Sequence, residues 1–398
     1  MFAAVWHRIL AFVLSFCQFF MILLGVGDLP KADRVNVFVH GLMGFGYNDG
    51  MSSILPYWGL ISGDLMVELR AEGYECYAAS VGPLSSAWDR ACELYAQLTG
   101  TRVDYGKAHS EEHGHARCGR EYKRPLFEGW SAEKQINLFG HSFGGATTRL
   151  FVQLACSGSQ AEQAATPAEE LSPLFLGGMG ERIYSVTTLA APHNSTTSYN
   201  PEQADNAGTD GLSQMLTYLA AVVGNLPGLR FFADFQLEQF GITSVPFASV
   251  PSVPLPENIQ SFLNGKDNAA WDLSFEGATT LNAGLQPQDG IYYFSCAGHS
   301  TDKINGSRSY ETPYDYKGLF TIDESWNAND GMVNTISARY PFAEPHKTFD
   351  AAEIPSGVWN VMPDSPWNHT GFGGSDGDMA ALKAFYMQQL AYIESTNP

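Results

Sequence analysis

Positive charge is scarce in this sequence: 22 lysines and arginines stand against 42 aspartates and glutamates, a formal net charge of −20. Such a surface repels polyanions, which excludes nucleic acid and anionic membrane as charge-driven partners. Any contact with lipid must therefore be apolar. Cysteine is scarce as well. Cys17 stands in an N-terminal apolar run, and Cys76, Cys92, Cys118, Cys156 and Cys296 are odd in number and scattered, with no C-x-x-C spacing. That pattern argues against a metal knuckle, and buried thiols are expected. Internal repeats and domain-separating linkers are also missing. What remains, 398 residues with 44% hydrophobic and 16% charged, is enough for one large domain with a sizeable core.

Residues 1–28 differ from the body. His7 and Arg8 precede an uncharged stretch from Ile9 to Gly27 that ends in small residues. This fits a secretory signal peptide, and, because no A-x-A site follows, also an uncleaved N-terminal signal anchor. Either way residues 29–398 are expected outside the cell, secreted or tethered by that segment.

Along the body, apolar runs alternate with helical periodicities. Strands are expected at Val35–His40, Tyr74–Ser80, Ile136–Phe139, Ile183–Ala190, Ile291–Ala297 and Gly357–Met362, the last of the sheet. Helices are expected at Tyr57–Gly73, Ala87–Leu98, from the glycines after Ser142 to about Cys156, and from Asp376 to Ile393. Residues 102–122 and 157–180 read as irregular. Alternating strands and helices predict an α/β fold, a mainly parallel sheet covered on both faces. Residues 195–285 are too long for a connection. Leu212, Met215, Leu216, Leu219, Val222, Val223 and Leu226 recur there at helical spacing, as in a lid over a lipid-facing site or a helix packed on the core.

Gly140-His141-Ser142-Phe143-Gly144 joins a strand to a helix. This is the nucleophile elbow of the α/β-hydrolase fold: the turn is so tight that both flanking positions must lack side chains, and the serine is lifted above the sheet. A serine needs a base and an orienting acid, which in this fold follow in the order acid, then histidine. Asp330, in Asn329-Asp330-Gly331, and His369, just after the last strand, occupy such loops. His193, His299 and His346 compete for the base; Asp323 and Glu324 compete for the acid. Oxyanion donors are expected from the backbone N–H groups of Leu42, in His40-Gly41-Leu42, and Phe143.

A second constellation is a histidine cluster, His109, His113 and His115, with Asp89 upstream and Asp272 in Trp271-Asp272-Leu273. Two histidines and two aspartates suit a closed tetrahedral zinc site, structural because no position stays open. Spacing leaves the choice among the histidines undecided.

Taken together, Gly82-Pro83-Leu84-Ser85-Ser86, Trp88-Asp89-Arg90-Ala91-Cys92, His113-Gly114-His115-Ala116-Arg117, Ala191-Pro192-His193, Trp271-Asp272-Leu273 and Asn329-Asp330-Gly331-Met332-Val333-Asn334 resemble the secreted zinc-containing lipases of bacilli and staphylococci over most of residues 34–395. The resemblance implies a triacylglycerol lipase with a Ser142, Asp330, His369 triad. It implies zinc on Asp89, His109, His115 and Asp272 in an insertion at about 86–122, and a lid within an insertion at about 195–285. Phospholipase A1 or short-chain carboxylesterase activity on the same fold is the alternative. The partner implied is a lipid ester at an oil–water or membrane interface, with no obligate protein partner. Three positions depart from the family. Gly140 opens the elbow where bacillar relatives often have alanine, Phe143 replaces a glutamine and is expected to make the pocket more apolar, and Gly371 stands where the family's calcium site has a carboxylate. Asp376 alone is left, so calcium is not carried over.

Overall fold

The structure is a computed structural model, and it describes residues 34–47, 52, 55–199, 234–242, 257–302 and 312–396. The N-terminal segment 1–28 and the helical periodicity at 212–226 lie outside the described residues.

Seven strands form the main sheet: β1 (Val35–Val39), β2 (Glu75–Ala79), β5 (Ile136–His141), β6 (Ile183–Leu189), β7 (Tyr292–Cys296), β10 (His346–Thr348) and β11 (Trp359–Val361). Their order is β10-β11-β7-β6-β5-β1-β2, and every pairing is parallel. Two short antiparallel pairs sit outside it, β3 (Arg102–Asp104) with β4 (Cys118–Glu121) and β8 (Tyr314–Tyr316) with β9 (Phe320–Ile322).

Burial on both faces explains why the central strands read as unbroken apolar runs. In β1, Val35, Val37 and Val39 pack with Ala91, Leu94 and Phe151 on one side, while Phe38 packs with Leu65, Leu69 and Tyr386 on the other. The first side is covered by the helices Ala87–Thr99 and Gly144–Ser157, the second by Leu65–Ala71 and Met379–Ser395.

Four local expectations change. The helix expected over Tyr57–Gly73 shrinks to Leu65–Ala71. Gly59 and Gly63 take φ of 121° and 130°, a 3₁₀ turn spans Leu60–Ser62, and Asp64 starts afresh by accepting from the Met66 and Val67 amides. The stretch 102–122 is built around β3, β4 and the helix Lys107–His113. Residues 157–180 carry the short helices Gln160–Ala165 and Pro173–Leu176, which bury Leu174 and Phe175. At the sheet edge, β10 is three residues, His-Lys-Thr, with no apolar run to announce it. The five body cysteines are free, and Cys76, Cys92 and Cys296 are buried.

Candidate active site and metal cluster

β5 ends at His141, and the helix Gly144–Ser157 begins three residues later. Between them Ser142 takes φ 56°, a left-handed conformation rare for a residue with a side chain. The flanking glycines are obligatory. A Cβ on Gly144 would stand 2.3 Å from the Val39 carbonyl oxygen, and one on Gly140 would stand 2.5 Å from that of Gly144.

The structure brings Ser142, His369 and Asp330 into one row. Ser142 Oγ lies 2.8 Å from His369 Nε2, and His369 Nδ1 lies 2.8 Å from Asp330 Oδ2. Since a carboxylate only accepts, Nδ1 carries the proton and Nε2 accepts from the serine hydroxyl. Asp330 is held in turn: its Oδ1 accepts from the Met332 and Val333 amides at 2.9 and 2.7 Å. Gly298 makes room, since a Cβ there would lie 2.7 Å from that of Asp330.

The competing residues are elsewhere. His299 pairs with Asp302 at 2.8 Å, His193 faces the Thr188 hydroxyl, and His346 stacks on Tyr340. Asp323 caps the 3₁₀ turn Glu324–Trp326.

Among the described residues, no hydrogen bond engages the Leu42 or Phe143 N–H. Gly41 lies against the serine: a Cβ on it would be 3.1 Å from Ser142 Oγ. The Phe143 side chain is fully buried and packs in the core with the helix Ala87–Thr99. Its ring lies under the Arg90 guanidinium, 4.9 Å away.

Arg90 is the lone cation of its helix, on a buried side it shares with Glu93 and Gln97. It is fully buried, and burial holds its pKa down at about 10. It donates to the His40 carbonyl, to the Gly41 and Gly82 carbonyls at 3.4 and 3.3 Å, and to Thr147 Oγ1 at 2.8 Å. These acceptors are all neutral. The guanidinium thus pins the loop that carries the Leu42 amide.

The second cluster also assembles, with one correction. Ligand-type atoms of Asp89, His109, His115 and Asp267 lie within 4.8 Å of one another. Asp272 is not part of it. Its Oδ2 accepts the Ala87 N–H at 2.7 Å, so it caps the helix that carries Asp89, and burial raises its pKa to about 7. The fourth carboxylate comes five residues earlier, from Asp267, just ahead of the Asn268 cap of the helix Ala269–Asp272. His113 stays a neighbour, its ring 4.5 Å from that of His109.

The donors fit a cation. His109 Nε2 sits 3.3 Å from Asp89 Oδ1 and 3.2 Å from Asp267 Oδ1, and His115 Nε2 sits 3.0 Å from Asp267 Oδ2. These atoms are buried without hydrogen-bond partners, which leaves them as converging lone pairs. His115 Nδ1 meets the Ala116 carbonyl at 3.0 Å, which turns Nε2 inward as a ligand. The His109 ring stacks on Trp88, and its helix starts on Glu162, which accepts from the Ala108 and His109 amides. Among the described residues two imidazoles and two carboxylates converge with no fifth such donor, which makes a closed metal-compatible site.

Three buried neutral histidines set an acid limit on the fold. Burial pushes His40 and His141 down to about 3 and His193 well below its ordinary value of 6.5. A base with a lower pKa folded than unfolded takes up a proton on unfolding. Stability is therefore intact above about pH 6.5 and is lost as pH falls toward 3. Glu93 and Asp272, held up at about 8 and 7 by burial, work in the opposite sense above about pH 4.5, because they release a proton on unfolding. The melting temperature is therefore expected to fall most steeply below pH 4.5, where only the histidines still titrate among these groups, and a profile flat from pH 4.5 to 3.5 would contradict this.

An all-parallel α/β sheet with a serine, histidine and carboxylate aligned beyond its strand ends defines the class: the α/β-hydrolase fold. The Lipase-like, C-terminal domain family matches residues 32–391, and the chain belongs to that family. It is 33% identical over 363 residues to Lipase 1 of Staphylococcus aureus (strain MRSA252), covering 88% of this chain and 52% of that one. Lipase 2 of S. aureus (strain MSSA476) is 35% identical over 358 residues, covering 85% and 50%. The chain thus spans about half the length of the curated relatives it matches. Solved structures follow it more fully. EstA from Clostridium botulinum superposes with a TM-score of 0.76 at 31% identity, covering 94% of this chain and 90% of that one. Staphylococcus hyicus lipase gives 0.75 at 30%, covering 93% and 98%.

Proposed function

We propose that this chain is a secreted serine carboxylester hydrolase, most simply a triacylglycerol lipase. The observation that carries the reading is the unbroken row from Ser142 Oγ through His369 to Asp330, with both separations 2.8 Å. In this reading His369 Nε2 takes the Ser142 proton as Oγ attacks the ester carbonyl carbon. The oxyanion that forms is met by the Leu42 and Phe143 N–H groups. His369 then delivers the proton to the departing alkoxide, leaving an acyl-enzyme. Water, deprotonated by the same nitrogen, releases the acid and restores the serine. Asp330 keeps Nδ1 protonated and stabilises the imidazolium.

Zinc is the ion that two imidazoles and two carboxylates suit best. Asp89, His109, His115 and Asp267 would hold it, and it would tie the helix Ala87–Thr99 to the segments around 109–115 and 267. The shell is closed, so no catalytic step passes through it.

Export rests on the apolar run at 1–28, and residues 29–398 are read as one catalytic domain with insertions near 86–122 and 195–285. Among the described residues no helix is long and apolar enough to cross a membrane. The apolar helical spacing of the sequence at 212–226, suited to a lid, and the acidic composition favour an oil–water interface over a charged bilayer. A phospholipase A1 or short-chain esterase would share every catalytic residue.

Labelling with a fluorophosphonate followed by peptide mapping tests the reading. A single modified peptide carrying Ser142 is expected. Turnover across acyl-chain lengths is expected to rise when long-chain esters form an interface. Modification elsewhere would overturn the nucleophile assignment, and activity confined to dissolved short-chain esters would favour the esterase.

A further inference from the structure

A chain of hydrogen bonds with no assigned role runs behind the candidate active site. Gly41 N–H donates to Tyr57 Oη at 3.0 Å. Tyr57 Oη lies 2.5 Å from His141 Nδ1, and His141 Nε2 lies 2.9 Å from the His369 carbonyl oxygen. The chain starts in the oxyanion loop, passes through the residue before Ser142, and ends on the backbone of the histidine that faces Ser142.

Its polarity is dictated by chemistry. A carbonyl only accepts, so His141 Nε2 carries the ring proton. The ring is buried and neutral, so Nδ1 accepts and the phenol donates. A backbone N–H only donates, so the phenol oxygen takes the Gly41 proton. No link can be reversed without leaving a buried group unpaired, a cost of about 1–3 kcal/mol each. His369 is gripped from its other side too, because its own N–H donates to the Asp330 carbonyl at 2.8 Å. Both of its backbone polar groups are therefore spoken for.

Packing reinforces the arrangement. The His141 and His369 rings are 4.9 Å apart, and Trp58 meets both Tyr57 and His141 edge-on at 5.2 and 6.1 Å. Tyr57 reaches this place because the chain breaks at Gly59 before a helix can form.

We infer that Tyr57 and His141 are positioning residues, a hydrogen-bonded strut that sets the oxyanion loop and His369 at a fixed separation across Ser142. This rests on the Ser142, His369, Asp330 reading and names what keeps its parts in register. Attack on a carbonyl needs the base and the oxyanion donors in place together, and displacement by about 1 Å costs on the order of a hundredfold in rate.

The test compares Tyr57→Phe, His141→Phe and the double variant on a soluble p-nitrophenyl ester, with active sites titrated by a fluorophosphonate. Tyr57→Phe keeps the ring and removes one oxygen. Its kcat per titrated site is expected to fall roughly tenfold or more, with KM within about twofold, because ground-state binding does not use the strut. His141→Phe is expected to fall similarly, and the double variant no further than the poorer single, since cutting a strut twice changes little. A merely structural role would lower the number of titratable sites and leave kcat per site intact, and that result would overturn the strut. Multiplying losses in the double variant would overturn it as well. If His141→Phe does not fold, Tyr57→Phe alone decides. The underlying reading fails separately: hydrolysis surviving in Ser142→Ala would remove it, whereas an essential Ser142 with an unimpaired Tyr57→Phe removes only the strut.

Discussion

Ser142→Ala is expected to lower kcat/KM for ester substrates by roughly a millionfold, leaving only what bound substrate and oxyanion donors supply. The variant deletes the one atom that faces His369 Nε2, at 2.8 Å. No other hydroxyl is described in that position. Alanine meets the same strain as serine at φ 56°, so the fold and the melting temperature should change little. Asp330→Asn is the milder companion. It keeps the turn geometry but offers an amide to Nδ1, favouring the wrong tautomer, and a loss of about ten-thousandfold is expected. Progress curves on a chromogenic ester, read beside thermal melts, check both. Substantial hydrolysis by folded Ser142→Ala would dismiss the elbow serine as nucleophile.

The second large effect separates two aspartates five residues apart. Protein purified without chelators is expected to contain one zinc per chain. Asp267→Ala should lose it, because one of four donors to the cluster disappears. Structural zinc binding amounts to on the order of 10 kcal/mol, so a large drop in melting temperature should accompany the loss. Asp272→Ala removes only the acceptor for the Ala87 N–H. A helix N-cap contributes about 1 kcal/mol, so this variant should keep its zinc and melt only a few degrees lower. Metal analysis of the two variants beside their melts gives the answer. Zinc retained in Asp267→Ala and lost in Asp272→Ala would reverse the assignment, and no zinc in the unaltered protein would refute the ion.

What is legible in the sequence follows from how local each signal is. The central strands stand out because burial on both faces makes them continuous apolar runs, whereas β10 is short, polar and at an edge. Ser142, Asp330 and His369 each sit in a local turn motif, and the structure brings the three together. The metal cluster is legible in Asp89, His109 and His115. Its fourth member is not: the sequence points to Asp272, and only the fold shows that Asp267, five residues earlier, faces the histidines while Asp272 accepts from Ala87. Tyr57 and His141 are 84 positions apart in sequence, and no periodicity links them. Arg90 is visible as the lone cation of its helix but gives no sign of which loop it holds. The lid periodicity at 212–226 falls outside the described residues.

Asp89 and Arg90 are consecutive residues at the start of one helix. The first reaches into the histidine and aspartate cluster, and the second clasps the carbonyls of the loop beside Ser142. A single turn of backbone is thus the hub of two machines. Slide it by one residue and both lose their grip at once, so neither end can be redesigned without retuning the other.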